Sequence, residues 1–168
     1  MYFLFLSFFK IFIIIQSFAT DAVDYFEIDL KNLKAVKTNN LLVGNISNGK
    51  KLFVSRKVNC LSCHTAPIDE EKFQGNFGPP LKKIGFTYSK DELRLRIINP
   101  KLINPNTIMP AYYVKVKNPR TPKKYFNRTI LIAQEVEDLV EYSKFPIGGR
   151  IPRRPPSPPP SSRRTPPA

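Results

Sequence analysis

"NCLSCHTAP", residues 59–67, decides how the rest of this chain is read. The 168 residues include two cysteines and one histidine, and all three lie within the five positions from Cys60 to His64. Three readings of a Cys-x-x-Cys pair compete. A thioredoxin-like dithiol needs a βαβ context, and none precedes it. A zinc site needs about four ligands; three are local here, and the chain has no further Cys or His to complete the set. The third reading is covalent haem. Two thiols at this spacing add to the two vinyl groups of one haem, and the next residue, His64, reaches the iron through an imidazole nitrogen from the same side.

Haem iron has a second axial position, and the only imidazole is already used. A thioether is the next candidate. Apart from Met1 the chain has a single methionine, Met109, 45 positions after His64 in "NPNTIMPAYY". Pro100, Pro105 and Pro110 surround it, so the stretch reads as a stiff irregular loop, able to cross the haem and present one side chain. The alternative is a methionine that fills core space. With Met109 as ligand the iron is six-coordinate, suited to carrying electrons and closed to substrate.

A histidine ligand needs its other ring nitrogen held by an acceptor. "GNFGPPL", residues 75–81, supplies a turn-rich loop after the motif, in which Gly78 permits close backbone approach and Pro79 offers a free carbonyl. The Pro79 carbonyl is the expected partner of His64; an ordinary surface turn is the alternative reading.

The flanks predict a small all-α domain wrapped on that haem. Asn45 or Ser47 caps a helix running to about Lys57, with Gly49 inside it and Phe53 one turn on. A mid-helix Gly costs about 1 kcal/mol relative to Ala, so it implies a second helix crossing closely there, or a glycine that is merely tolerated. Ser89-Lys90-Asp91-Glu92 reads as a capping box opening a helix through about Ile98, stopped before Pro100, with Leu93, Ile97 and Ile98 on its apolar side. A last helix, about 133–144, carries Val136, Leu139, Val140 and Tyr142 as a buried stripe. Its acids Glu135, Glu137 and Asp138 crowd the start, where the helix dipole favours them.

The two ends differ in kind from the middle. Residues 2–19, "YFLFLSFFKIFIIIQSFA", are mostly apolar with Lys10 inside them, and Ser17-Phe18-Ala19 has the small-x-small pattern of a secretory cleavage site. The expectation is a signal peptide over 1–19, cut after Ala19 or Ala22, and a periplasmic location; an uncleaved membrane anchor is the alternative, in which a mid-span Lys is costly. Residues 20–44 are an N-terminal extension, 45–145 the folded domain, and 146–168 a tail with nine of the seventeen prolines, five arginines and no acid. Such a tail cannot bury enough apolar surface to offset chain entropy and reads as disordered. Its five arginines account for five of the chain's +14, which leaves +9, and removal of Lys10 with the signal leaves +8. No aromatic-basic nucleic-acid motif stands out, so that charge points to an acidic protein partner.

Over about residues 45–145 the chain resembles the class I c-type cytochromes. A closer resemblance, carried by "NCLSCH", "GNFGPPL", "DELRLRIINP", "NPNTIMPAYY" and "ILIAQEVEDLVEY", is to SoxX-type subunits, the monohaem partners in the sulfur-oxidation SoxAX cytochrome complex. The run 107–113, "TIMPAYY", is its most distinctive part. The resemblance implies one covalent haem c, with Cys60 and Cys63 at the thioether positions, His64 the proximal and Met109 the distal iron ligand. It also implies a heterodimer with a SoxA-type subunit, where thiosulfate is oxidatively joined to a cysteine of the SoxYZ carrier. The present chain would accept the released electrons one at a time and pass them to a downstream cytochrome c. It would thus serve a cysteine S-thiosulfotransferase without a catalytic site of its own. Two features depart from the pattern: Ile132 stands where the last helix usually opens with Thr, and the Pro/Arg tail has no counterpart. The alternative function is a free-standing periplasmic cytochrome c of a respiratory chain; a peroxidase or gas sensor would require Met109 to be displaced.

Overall fold

The computed structural model describes residues 25–145. The signal peptide expected over 1–19 and the tail over 146–168 lie outside the described residues. Four helices and one short antiparallel pair build the domain: β1 (Phe26–Asp29), β2 (Lys34–Lys37), α1 (Ile46–Phe53), α2 (Ile84–Thr87), α3 (Lys90–Ile98) and α4 (Ala133–Lys144). Two 3-10 turns, Cys60–Ser62 and Pro100–Leu102, punctuate the loops. Among the described residues no helix is long and apolar enough to cross a membrane.

The crossing of α1 on α4 is the frame. Asn45 caps α1, its side chain accepting from the Asn48 N–H at 2.9 Å. Gly49, one turn in, is buried against α4: a Cβ added there would fall inside contact distance of the Asp138 carbonyl and 2.7 Å from the Tyr142 Cβ. The glycine therefore permits the close crossing, and Phe53 completes it by meeting the Tyr142 ring edge-on, with centroids 5.4 Å apart. α1 is shorter than the expected run to Lys57 and stops at Phe53.

α4 buries Val136, Leu139, Val140 and Tyr142 as a stripe. Two of its acids do different work from the dipole role expected of them. Glu137 and Asp138 are 4% and 5% exposed, so burial demands partners for them. Asp138 Oδ1 accepts from the Asn45 N–H and from Gln134 Nε2, both at 2.8 Å. Glu137 receives Arg94 of α3 in a two-pronged pair, Nε to Oε1 at 2.5 Å and Nη2 to Oε2 at 3.1 Å. At the start of α4 the Ile132 N–H donates to Glu135 Oε2 at 2.9 Å. Ile132 has no side-chain acceptor to return the bond, so the Thr-to-Ile departure leaves half of a reciprocal cap.

α3 opens with the expected box: the Ser89 N–H donates to Glu92 Oε2 at 2.8 Å, and the Glu92 N–H to Ser89 Oγ at 3.3 Å. Leu93, Leu95 and Ile98 are buried, and Ile97 is half-buried.

The all-α expectation does not hold for the described part of the N-terminal extension, residues 25–44. Phe26 pairs with Lys37, and Asp29 with Lys34. Phe26 and Ala35 turn inward, Phe26 meeting the Tyr113 ring edge-on at 5.3 Å. The Ala35 carbonyl accepts from Arg94 Nη1 at 2.6 Å, which locks the pair onto α3. These strands exist because they cover the buried arginine and one side of the core.

Candidate functional site

The haem motif sits on a single turn of backbone. Asn59 enters in the left-handed region, φ 52°, which Asn tolerates better than most residues. The turn closes through Cys63 N to Cys60 O at 3.2 Å and His64 N to Cys60 O at 3.0 Å. Cys60, Cys63 and His64 thus stand at i, i+3 and i+4 of one backbone turn. Both cysteines are half-buried and neither is in a disulfide. Burial pushes the Cys60 thiol up to about 12.

The "GNFGPPL" loop folds back over the histidine. The Gly78 N–H donates to the Cys63 carbonyl at 2.7 Å. A Cβ at Gly78 would lie 2.5 Å from His64 Nδ1, so the imidazole rests on bare backbone that only glycine provides. His64 Nδ1 and the Pro79 carbonyl are 2.8 Å apart. A carbonyl can only accept, so Nδ1 carries the proton and Nε2 keeps its lone pair for a metal. Two thiols and an imidazole on one backbone turn, the imidazole already oriented by its far nitrogen, fit a covalently attached haem.

Gln74 braces the loop between motif and cradle, a role no sequence pattern signals. Its Oε1 accepts from the Ala66 N–H at 2.6 Å, and its Nε2 donates to the Glu71 carbonyl at 2.7 Å.

Met109 lies in the loop after the Pro100–Leu102 turn, half-buried and packed against the hydrophobic core, as Cys60 also is. Its loop is shaped locally, by Thr107 N to Asn104 O at 3.1 Å and Met109 N to Thr107 Oγ1 at 3.2 Å. Tyr112, three residues on, ties it to the motif, its hydroxyl donating to the Val58 carbonyl at 2.6 Å. Cys60, Cys63, His64 and Pro79 are thus joined by direct bonds, and Met109 reaches them through Tyr112.

Sequence reasoning did not single out the exposed loop between Met109 and α4. Lys115, Lys117, Arg120, Lys123, Lys124 and Arg128 follow one another with no acid before Glu135. The loop is closed at its base by Val116 N to Arg128 O at 3.3 Å and Asn127 N to Val116 O at 2.7 Å. Tyr125 and Phe126 are exposed near its end.

The family model for cytochrome c matches residues 46–143. No curated protein matches this chain. Among solved structures, a chain of the crystal structure of SoxXA from P. pantotrophus is similar, at 24% identity and a TM-score of 0.60, covering 68% of this chain and 90% of that one. The family-model match takes in the helical frame, the haem motif and Met109, and the chain therefore belongs to the cytochrome c family, with Cys60 and Cys63 as the attachment pair of a single haem c.

Proposed function

We propose that this chain is the monohaem electron-transfer subunit of a SoxAX-type complex. It takes electrons one at a time from a SoxA-type partner, where thiosulfate is coupled to a cysteine of a SoxYZ-type carrier, and yields them to a downstream cytochrome. The observation that carries the reading is the fold's likeness to a SoxXA chain, over nearly the whole of that chain. The "TIMPAYY" run around Met109 supports it.

The haem, when bound, supplies a one-electron iron couple. In this reading Cys60 and Cys63 would form the thioether links, and His64 Nε2 and Met109 would hold the iron. The Pro79 carbonyl holds the imidazole in one orientation and one tautomer and makes its free nitrogen a better donor. The thioether of Met109 would raise the reduction potential and close the site to substrate. No cysteine is left over as a nucleophile, which agrees with a relay. Export to the periplasm by residues 1–19 belongs to the same proposal, since haem of this class is attached outside the cytoplasm.

A free-standing periplasmic carrier is the second reading. The basic loop 115–128 favours it, because charge steers transient encounters more than it holds permanent ones. Stopped-flow absorbance separates the two. Mixed with a SoxA-type subunit, SoxYZ and thiosulfate, the haem of this chain should be reduced quickly, while the chain alone should turn over no thiosulfate. A haem that stays oxidised in the complete mixture sinks the relay and leaves the carrier.

A further inference from the structure

We propose that Tyr112 is a positioning residue for the distal ligand, its hydroxyl fixing the Met109 loop to the backbone that enters the haem-attachment turn. The inference rests on the reading of Met109 as that ligand.

Tyr112 stands three residues after Met109, and Val58 two residues before Cys60. Both are buried, at 7% and 4% exposure, and the hydroxyl donates to the Val58 carbonyl at 2.6 Å across 54 residues of sequence. The backbone of Tyr112 is held on two further sides. Its N–H donates to the Ile97 carbonyl at the end of α3, at 3.2 Å, and its carbonyl accepts from the Leu131 N–H at 2.9 Å. Tyr112 is therefore where the Met109 loop meets the end of α3, the approach to α4 and the haem-bearing turn at once. Pro110 stiffens the short link between it and Met109.

Volume alone does not account for the residue. A phenylalanine would fill the same space without bringing a hydroxyl that must find an acceptor once buried. Burial holds the phenol well above its ordinary value, so the group is a proton donor throughout the working pH range. What the hydroxyl adds is a tie between the two segments that carry the axial and thioether residues. A loop that opens to release its thioether must strain or break that tie, so the bond biases the loop toward the closed position.

Imidazole, which occupies the sixth position only when the thioether has left, reads that bias. Its apparent affinity scales with the fraction of loops that are open. In the ferric holoprotein, Tyr112→Phe should keep covalent haem and bind imidazole about tenfold more tightly than wild type, which is about 1.4 kcal/mol and the worth of one buried hydrogen bond. Met109→Ala should bind imidazole more tightly still, and Gly49→Ala, which loosens the α1–α4 crossing, should leave imidazole affinity unchanged. Wild-type affinity in Tyr112→Phe, or an equal gain in Gly49→Ala, overturns the role of Tyr112. Wild-type affinity in Met109→Ala instead removes the distal-ligand reading itself, and the inference with it.

Discussion

Gly49 of α1 lies so close to the Asp138 carbonyl of α4 that any larger residue must part the two helices. Two effects oppose each other in Gly49→Ala. Helix propensity favours alanine by about 1 kcal/mol. Overpacking costs about 1–3 kcal/mol, and more where backbone rather than a side chain must yield. The obstacle here is a backbone oxygen, so the clash wins. Chemical denaturation of the holoprotein should show a net loss of about 2 kcal/mol, and a stabilised variant would mean that the crossing is looser than described.

That crossing is legible in the sequence, because a glycine inside a helical run is expensive unless something approaches it. Ser89 with Glu92, and the stripe from Val136 to Tyr142, were legible for similar local reasons. The strands were not. Their connection has no Asn-Gly or Asp-Gly signal: Leu33 takes the left-handed conformation at φ 51° and Asp29 closes the turn onto the Asn32 N–H at 3.0 Å. Nor was the Arg94–Glu137 pair. Its partners are 43 residues apart, and each alone reads as a solvated helix charge. At the site, residue chemistry named Cys60, Cys63, His64 and Met109, and the Pro79 carbonyl followed from what a ligating imidazole needs. Gln74 and Tyr112 act through contacts across the fold, for which a sequence carries no local mark.

Arg94 is a buried charge paired with two carboxylates, Glu137 and Asp91. Burial works against its charged form, but Glu137 and Asp91 outweigh it and hold the guanidinium above its ordinary value. Arg94→Met should cost about 3–5 kcal/mol, because it leaves the Glu137 carboxylate buried without its partner. The double variant Arg94→Met with Glu137→Leu should recover much of that loss. Urea titrations of the four proteins in a double-mutant cycle measure the coupling, and additive losses would show that the pair is not one unit.

The cap of α3 should give the fold part of its acid sensitivity. Hydrogen bonding from the Ser89 backbone, then from its hydroxyl, lowers the Glu92 carboxyl below its usual 4.5. The folded value is the depressed one. The cap's stabilisation is therefore fully present above the unfolded value and is lost as pH falls through the folded one. Glu92→Gln should lower the melting temperature slightly at pH 7, and the gap from wild type should close as pH drops below 4.5. A gap that stays constant with pH would assign the effect to packing rather than to charge.

Met109→Ala tests the distal ligand directly. The low-spin spectrum should become high-spin or water-ligated, the near-infrared sulfur–iron band should vanish and the reduction potential should fall, since the thioether favours the reduced iron. Covalent haem should survive, because Cys60 and Cys63 are untouched. An unchanged spectrum eliminates Met109.

The basic loop carries the last prediction. Lys123 and Lys124 lie beyond its closed base, beside the exposed Tyr125 and Phe126. They belong to a run without a nearby acid to neutralise it. If that loop guides an acidic acceptor, Lys123→Glu with Lys124→Glu should slow the bimolecular oxidation of the reduced haem by about tenfold at low salt, within the range that steering supplies. The wild-type rate should fall as salt rises, because the Debye length shrinks from about 30 Å at 0.01 M to about 8 Å at 0.15 M. The rates of the two proteins should converge at high salt, where only contact chemistry remains. Neither lysine touches the haem motif or the Met109 loop in the bonds described, so the spectrum and the potential should stay as in wild type. Stopped-flow rates against an acidic cytochrome, taken over a salt series, decide it. Parallel salt dependences in the two proteins would place the docking charge elsewhere on the domain, and a salt-independent wild-type rate would remove charge steering altogether.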